Sequence, residues 1–245
     1  MSEVVIERRF AGPPSSGNGG YVSGLLARAI AGPATVVLRA IIPLDTPLDL
    51  SVDDGRAVLS DAAGGLIGEA KAADVADLPQ PPTPPSLAAA EAAGRRAPSL
   101  ERNFHPICFT CSVARAEGDG LRILAGQLEG APAGVLAGVW TPDPAFADDE
   151  GRLPEEIVWA AVDCPGSFAW WVREQHHGGL LGTMTAEVIR RPSAGEPHIV
   201  LAWPIEGGAG RKRFSGVALF TAEGELLARG RQVWISFPQP AREAA

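Results

Sequence analysis

Apolar and polar positions alternate in short runs along this chain, and two stretches far apart carry the same run. Residues 57–71 (AVLSDAAGGLIGEAK) and 217–231 (VALFTAEGELLARGR) each read as an apolar strand, a tight turn at Gly64 or Gly224, and a second apolar strand opening on Leu66-Ile67 or Leu226-Leu227. The two runs lie 160 positions apart. Upstream of each is a strand ending in arginine, TVVLRA at 35–40 and AEVIRR at 186–191, preceded by a helix-like segment. Residues 3–10 predict a first strand, and 12–20 a loop rich in Gly, Pro and Ser. Residues 21–30 (YVSGLLARAI) predict a helix that is apolar on nearly every face and therefore buried, stopped by Gly32-Pro33. Strands follow at 34–42, 48–53, 56–62 and 65–72, punctuated by Pro43, Pro47, Asp53-Asp54-Gly55 and Gly64-Gly65. The second half predicts strands at 121–128 and 134–141, a loop at 142–154, and a helix from Glu155 to Arg173 kinked at Pro165. Strands at 181–191, 197–205, 213–221 and 225–236 complete it.

The order is thus strand, buried helix and antiparallel strands, twice over. It predicts an N-terminal unit at 1–73, a link at 74–120 and a C-terminal unit at 121–245. Within the link, PQPPTPPS (79–86) cannot pair in a sheet, and the alanines at 88–93 predict a short helix. A duplicated helix-plus-sheet unit sets equivalent surfaces face to face, and ligands commonly bind between such units.

Composition narrows the classes. A chain of 245 residues, 46% hydrophobic and 20% charged, can bury a sizeable globular core. The net charge of -8, with Arg95-Arg96, Arg190-Arg191 and Arg211-Lys212-Arg213 as isolated basic groups, argues against nucleic acid as the main partner. The N-terminal MSEVVIERRF lacks the apolar core of a signal peptide, and no run of about 20 apolar residues predicts a membrane span. Three cysteines are an odd, small set; no disulfide framework is indicated, and a reducing cytoplasm is the default.

Several segments carry candidate chemistry. SGNGGYVSG (16–24) places glycines at the start of the first buried helix. Free backbone N–H groups there, with the helix dipole, suit an oxyanion or a thioester carbonyl; the alternative is a loop that needs glycine for close packing. AAVDCPGSFAWW (160–171) holds one acid, Asp163, in an otherwise apolar helical stretch. A buried carboxylate with a raised pKa suits a general base, while the same residue, two before Pro165, also suits a helix cap. Strand alternation puts Gln232 and Trp234 on the face opposite Val233 and Ile235, either toward solvent or lining a pocket. HPICFTC (105–111) offers His105, Cys108 and Cys111, for which only Cys164 or His176-His177 could complete a zinc set. The expectation is a metal-free structural role for this segment, and a small buried thiol for Cys164 rather than a nucleophile. No GxSxG, Walker A or dinucleotide fingerprint occurs.

The doubled pattern resembles the hotdog fold, in which an antiparallel sheet wraps a long buried helix. Two copies in one chain resemble the double-hotdog acyl-CoA thioesterases of the TesB type, over nearly the whole chain apart from the link. The resemblance implies an α+β double hotdog that hydrolyses acyl-CoA without metal or organic cofactor and pairs into homo-oligomers. In that family a helix Asp, a Ser or Thr on the following strand and a Gln on the last strand orient the attacking water. Asp163 in WAAVDCP matches the first. Thr183 and Thr185 in GTMTAEVIRR match the second, with Thr185 favoured. Gln232 in EGELLARGRQ matches the third, since that segment is similar to the family's acidic-Gly-x-Leu-x-Ala-x-x-x-Gln. GPPSSGNGGYVSG resembles the family's glycine-rich helix entry, which implies that Asn18, Gly19, Gly20 and Tyr21 face the acyl or thioester group, with Thr183 beside them. The DCPG proline and the HPICFTC insert depart from the family pattern. Two other readings remain open. A MaoC-like enoyl-CoA hydratase would need an Asp–His pair at the helix start, and His105, His176, His177 and His198 lie elsewhere. A non-catalytic acyl-CoA or lipid-binding module would keep the fold without turnover.

Overall fold

The computed structural model describes residues 2–102, 104–174 and 179–237. In chain order these form β1 (Ser2–Val5), α1 (Gly19–Ala27), β2 (Ala34–Leu38), β3 (Pro47–Asp53), β4 (Arg56–Ser60), β5 (Leu66–Ala72), α2 (Leu87–Gly94) and α3 (Pro98–Glu101). There follow β6 (Gly126–Gln127), β7 (Leu136–Trp140), α4 (Glu155–Ala161), α5 (Asp163–Glu174), β8 (Gly179–Val188), β9 (His198–Ile205), β10 (Lys212–Thr221) and β11 (Leu226–Ser236). All pairings are antiparallel, in one 11-stranded sheet ordered β1-β3-β4-β5-β2-β8-β11-β10-β9-β7-β6.

The order reads outward in the same sense from the β2–β8 junction. On one side come β5, β4, β3 and β1; on the other β11, β10, β9 and β7. The similar sequence runs occupy equivalent hairpins, β4–β5 and β10–β11, and each breaks register at the same place, Leu59/Ser60 and Leu219/Phe220. Their turns use Gly64 at φ 82° and Gly224 at φ 90°, a backbone that suits glycine. At the junction Thr35 pairs with Thr185, and their hydroxyls meet at 2.9 Å. A local twofold through this pair makes residues of β2 and β8 that are 150 apart equivalent.

The inner face of the sheet is covered by two helices that cross closely. A Cβ at Gly24 would come within 2.4 Å of Glu156 Cα, and one at Gly20 within 2.7 Å of Trp159 O. Only glycine lets α1 lie this near α4, and this approach explains why α1 reads as apolar and small. The outer face of the second half is closed by α2, whose Ala90 and Ala93 pack on Ala137, Leu201 and Phe220. Among the described residues no helix is long and apolar enough to cross a membrane.

The structure departs from the sequence expectations in four places. The first strand ends at Val5, and Arg8–Phe10 form a 3₁₀ turn. The strand expected at 121–128 shrinks to Gly126–Gln127. The long helix breaks at Val162 (φ -96°, ψ 6°) rather than at Pro165. A proline clashes with the carbonyl four residues before it and cannot donate to it, so the chain breaks one residue past Ala161 and Pro165 falls in the first turn of α5. Residues 108–112, expected in the link, are buried: Phe109 N–H donates to Ala11 O at 2.7 Å, and Ile123 N–H to Thr110 O at 2.8 Å.

Candidate active site

The break at Val162 puts Asp163 at the start of α5, where α1 also begins. Asn18 caps α1, its Oδ1 accepting the Tyr21 N–H at 2.8 Å. Its Nδ2 donates to Asp163 Oδ2 at 3.0 Å and to Thr110 Oγ1 at 3.1 Å. Thr110 is itself fixed by donating to Ala160 O at 2.8 Å. Asp163 is 3% exposed, and its Oδ1 has no hydrogen-bond partner. Burial, and after it negative charge on the Cys108 sulfur beside it, raise its pKa to about 7 against the lowering pull of the Gly20 N–H and the Asn18 amide. A carboxyl of this kind can take a proton near neutral pH.

Asn18, Gly19, Cys108, Asp163 and Cys164 line one wall of a cavity of about 580 Å³. Its other walls are largely apolar, with Leu38, Ile41, Leu180, Leu181, Trp234 and Phe237 among them. His105 also lines it, and among the described residues no hydrogen bond joins Asp163 to a histidine. His176 and His177 lie outside the described residues.

The structure gathers Asn18, Gly19, Gly20 and Asp163, sets Gln232 against the backbone of Asp163, and places Tyr21, Thr183 and Thr185 elsewhere. A Cβ at Gly20 would stand 2.5 Å from Asp163 Cβ, so this glycine is a condition for the carboxylate's place. Tyr21 turns away: its ring stacks on Phe10 at 3.9 Å, and burial lifts its hydroxyl pKa to about 12. Thr183 pairs with Val37 and Val233, and Thr185 gives its hydroxyl to Thr35; neither lines the cavity. Gln232 is fully buried on the inner face. Its Nε2 donates to Val162 O at 3.0 Å and Asp163 O at 3.2 Å, and its Oε1 accepts the Trp234 indole N–H at 2.8 Å. A Cβ at Gly166 would strike Gln232 Oε1 at 1.8 Å, so α5 fits tightly over this amide.

Sequence reasoning missed Thr110. The signal was present, a hydroxyl inside the cysteine-bearing insert, but its use depends on a contact with residues 50 and 92 positions away. The same segment brings Cys108 and Cys111 to Cys164. The three sulfurs lie within 4.8 Å of one another, with Cys108 Sγ and Cys164 Sγ 3.6 Å apart. Hydrogen bonds from the Cys111 and Cys164 thiols, and from the Cys111 and Thr110 N–H groups, hold the Cys108 thiol well below its usual pKa. The bond shared with Cys108 drives the other two thiols up.

A second cavity, of about 640 Å³, lies at the opposite end of α1. Its walls include Ile30–Pro33, Val188 and Arg191, while the first cavity uses Leu180–Gly182, Leu38 and Ile41, the twofold equivalents of these positions. Here the buried acid is Glu156, paired with Arg28 at 2.7 Å, and Glu155, Glu187 and Arg191 make the walls polar.

No protein-family model and no curated protein matches the chain by sequence. Solved structures do. A protein of Novosphingobium aromaticivorans described as a thioesterase superposes with a TM-score of 0.61 at 16% identity, over 96% of this chain and 95% of its own. The acyl-CoA thioesterase II TesB2 of Mycobacterium marinum gives 0.57 at 15% identity, over 94% and 92%. The tesB protein of Mycobacterium avium subs paratuberculosis gives 0.55 at 16% identity, over 90% and 87%. What this chain shares with them is the fold, an α+β hotdog arrangement of helices against a large antiparallel sheet.

Proposed function

We propose that the chain is a double hotdog, one hotdog unit on each side of the β2–β8 junction, and that it hydrolyses acyl-CoA thioesters in the apolar cavity. The observation that carries this reading is the buried Asp163 carboxylate, held at Oδ2 by Asn18 and unpartnered at Oδ1, in the wall of that cavity. The acyl chain lies against Leu38, Leu181 and Trp234, and the thioester carbonyl points at the N-terminus of α1, where the Gly19 amide polarises it. A water in the cavity attacks the carbonyl carbon while the Asp163 carboxylate takes its proton. The tetrahedral intermediate collapses, the C–S bond breaks, and the thiolate leaves with the proton returned by Asp163. The products are a carboxylic acid and free CoA thiol. Gln232 acts as a positioning residue: it ties the carbonyls of the α4–α5 break to β11 and so sets the direction of Asp163. Thr185 serves the sheet junction through Thr35.

The fold shared with thioesterases supports the reaction class. The test is thiol release from acyl-CoAs of increasing chain length and from an aromatic acyl-CoA. Turnover on one group, lost in Asp163→Asn, is the expected result. Binding of acyl-CoA without thiol release on any substrate would replace hydrolysis with a binding function.

A further inference from the structure

The hydrolytic step makes no use of the three cysteines, although two of them line its cavity. We propose that Cys108, Cys111 and Cys164 form a three-thiolate site for a zinc-type soft cation, with the fourth coordination position open toward the cavity. The proposal stands apart from the thioesterase reading, because it rests on the sulfur geometry and the surroundings of the three cysteines.

Zinc–sulfur bonds of about 2.3 Å in a tetrahedral site put the sulfurs about 3.8 Å apart. The Cys108–Cys164 separation of 3.6 Å and the 4.8 Å envelope of all three sulfurs surround that value. The ligands come from two rigid pieces. Cys108-Phe109-Thr110-Cys111 is a CxxC turn, pinned by Phe109 on Ala11 and by Thr110 on Ala160. Cys164 is the second residue of a 12-residue helix. Thiolates need donors, and the site has one in place: the Asn18 amide lies 4.0 Å from Cys108 Sγ. Cys164, in the first turn of α5, has that helix's N-terminus behind it. Outer donors of this kind serve a thiolate and tune a metal–thiolate centre. Soft thiolate ligands select zinc and similar cations over magnesium or calcium. Cys108 and Cys164 both line the cavity, which gives a cation a route in and leaves room for a water as fourth ligand.

The experiment uses the full chain, reduced and stripped of metal with a chelator. Cobalt(II) is added first as a spectroscopic probe, followed by zinc in competition with a chromophoric chelator. One cobalt per chain with thiolate-to-cobalt charge-transfer bands, displaced by one zinc, is expected. Cys164→Ser, at the partly exposed position, should weaken zinc binding by at least about 100-fold, the upper end of what loss of an outer-shell partner costs. Far-UV circular dichroism of the variant checks that the fold persists. Binding without charge-transfer bands, binding unchanged in Cys164→Ser with the fold intact, or no zinc uptake by the wild-type chain would each overturn the proposal. The wild-type stoichiometry decides the matter even if every cysteine variant fails to fold.

Discussion

Two cavities flank the α1–α4 pair, built from equivalent strands, and they treat their buried acid in opposite ways. At one end Glu156 meets the Arg28 guanidinium at 2.7 Å, among further charges from Glu155, Glu187 and Arg191. At the other, Asp163 faces apolar walls with only an amide and a backbone N–H on its carboxylate, and burial lifts its pKa to about 7. The Arg28 guanidinium gives Glu156 a charged partner, and Asp163 has none. An acid in an apolar wall accepts a proton near neutral pH and is suited to catalysis. The two hollows use equivalent positions of β2 and β8, and the surroundings of one carboxylate in each separate them.

The largest effect should come from removing the acid on each side in turn. Asp163→Asn is expected to lower thioester turnover by about 100-fold or more, the usual contribution of a positioned acid–base group. Glu156→Gln should leave turnover within about twofold; a matching loss in both would erase the distinction between the cavities. Thiol release followed with a disulfide dye measures both.

Next in size is the helix crossing that both cavities share. Gly20→Ala and Gly24→Ala each force a methyl group into contacts of 2.5 and 2.4 Å. Each should cost about 1–3 kcal/mol in urea unfolding, as overpacking does. Gly20→Ala should also reduce turnover, because the group it strikes is Asp163 itself; equal losses of turnover in the two variants would mean that Gly20 has no special tie to the acid.

The junction gives a smaller effect. Thr35→Val or Thr185→Val leaves one half-buried hydroxyl without its partner and should cost about 1 kcal/mol. The double variant should cost less than the sum of the two. A turnover loss in Thr185→Val as deep as that of Asp163→Asn would return this hydroxyl to the attacking water.

The smallest effect is spectroscopic. Tyr21 is the one tyrosine of the chain, and its absorbance should titrate at about 12 instead of 10. Burial is the main cause, with Glu156 next. Because the folded pKa is the higher one, the stabilisation is complete below pH 10 and is lost as pH rises toward 12. Glu156→Gln should bring the midpoint down, so that this ring reports on the polar cavity; an unmoved midpoint would show that the acid's charge does not reach it.

Much of this was legible in the sequence. The hairpins at 57–71 and 217–231 follow from strand alternation and glycines at turns, and those signals are local. The burial of α1 follows from its apolar surface all round. Asp163 stood out as the single acid in an apolar stretch, and it is buried at a cavity wall. What could not be read depends on contacts between distant segments. Gln232 presented a polar residue on a strand, and only the tight cover of Gly166 shows that its amide is spent on backbone carbonyls. Thr185 offered a hydroxyl at the expected place, and the register of the β2–β8 pair gave that hydroxyl to Thr35. Residues 108–112 read as an insert because nothing in them announces the Ala11 and Ala160 carbonyls they bind.

The β2–β8 junction also has a meaning in time. Each flanking hairpin joins residues close in sequence, whereas Thr35 and Thr185 are 150 positions apart. Closing so long a loop costs chain entropy before any contact offsets it, so pairings of this span form late. In the native state the sheet is a single surface. The expectation is that the hairpins on either side form before the seam between them closes.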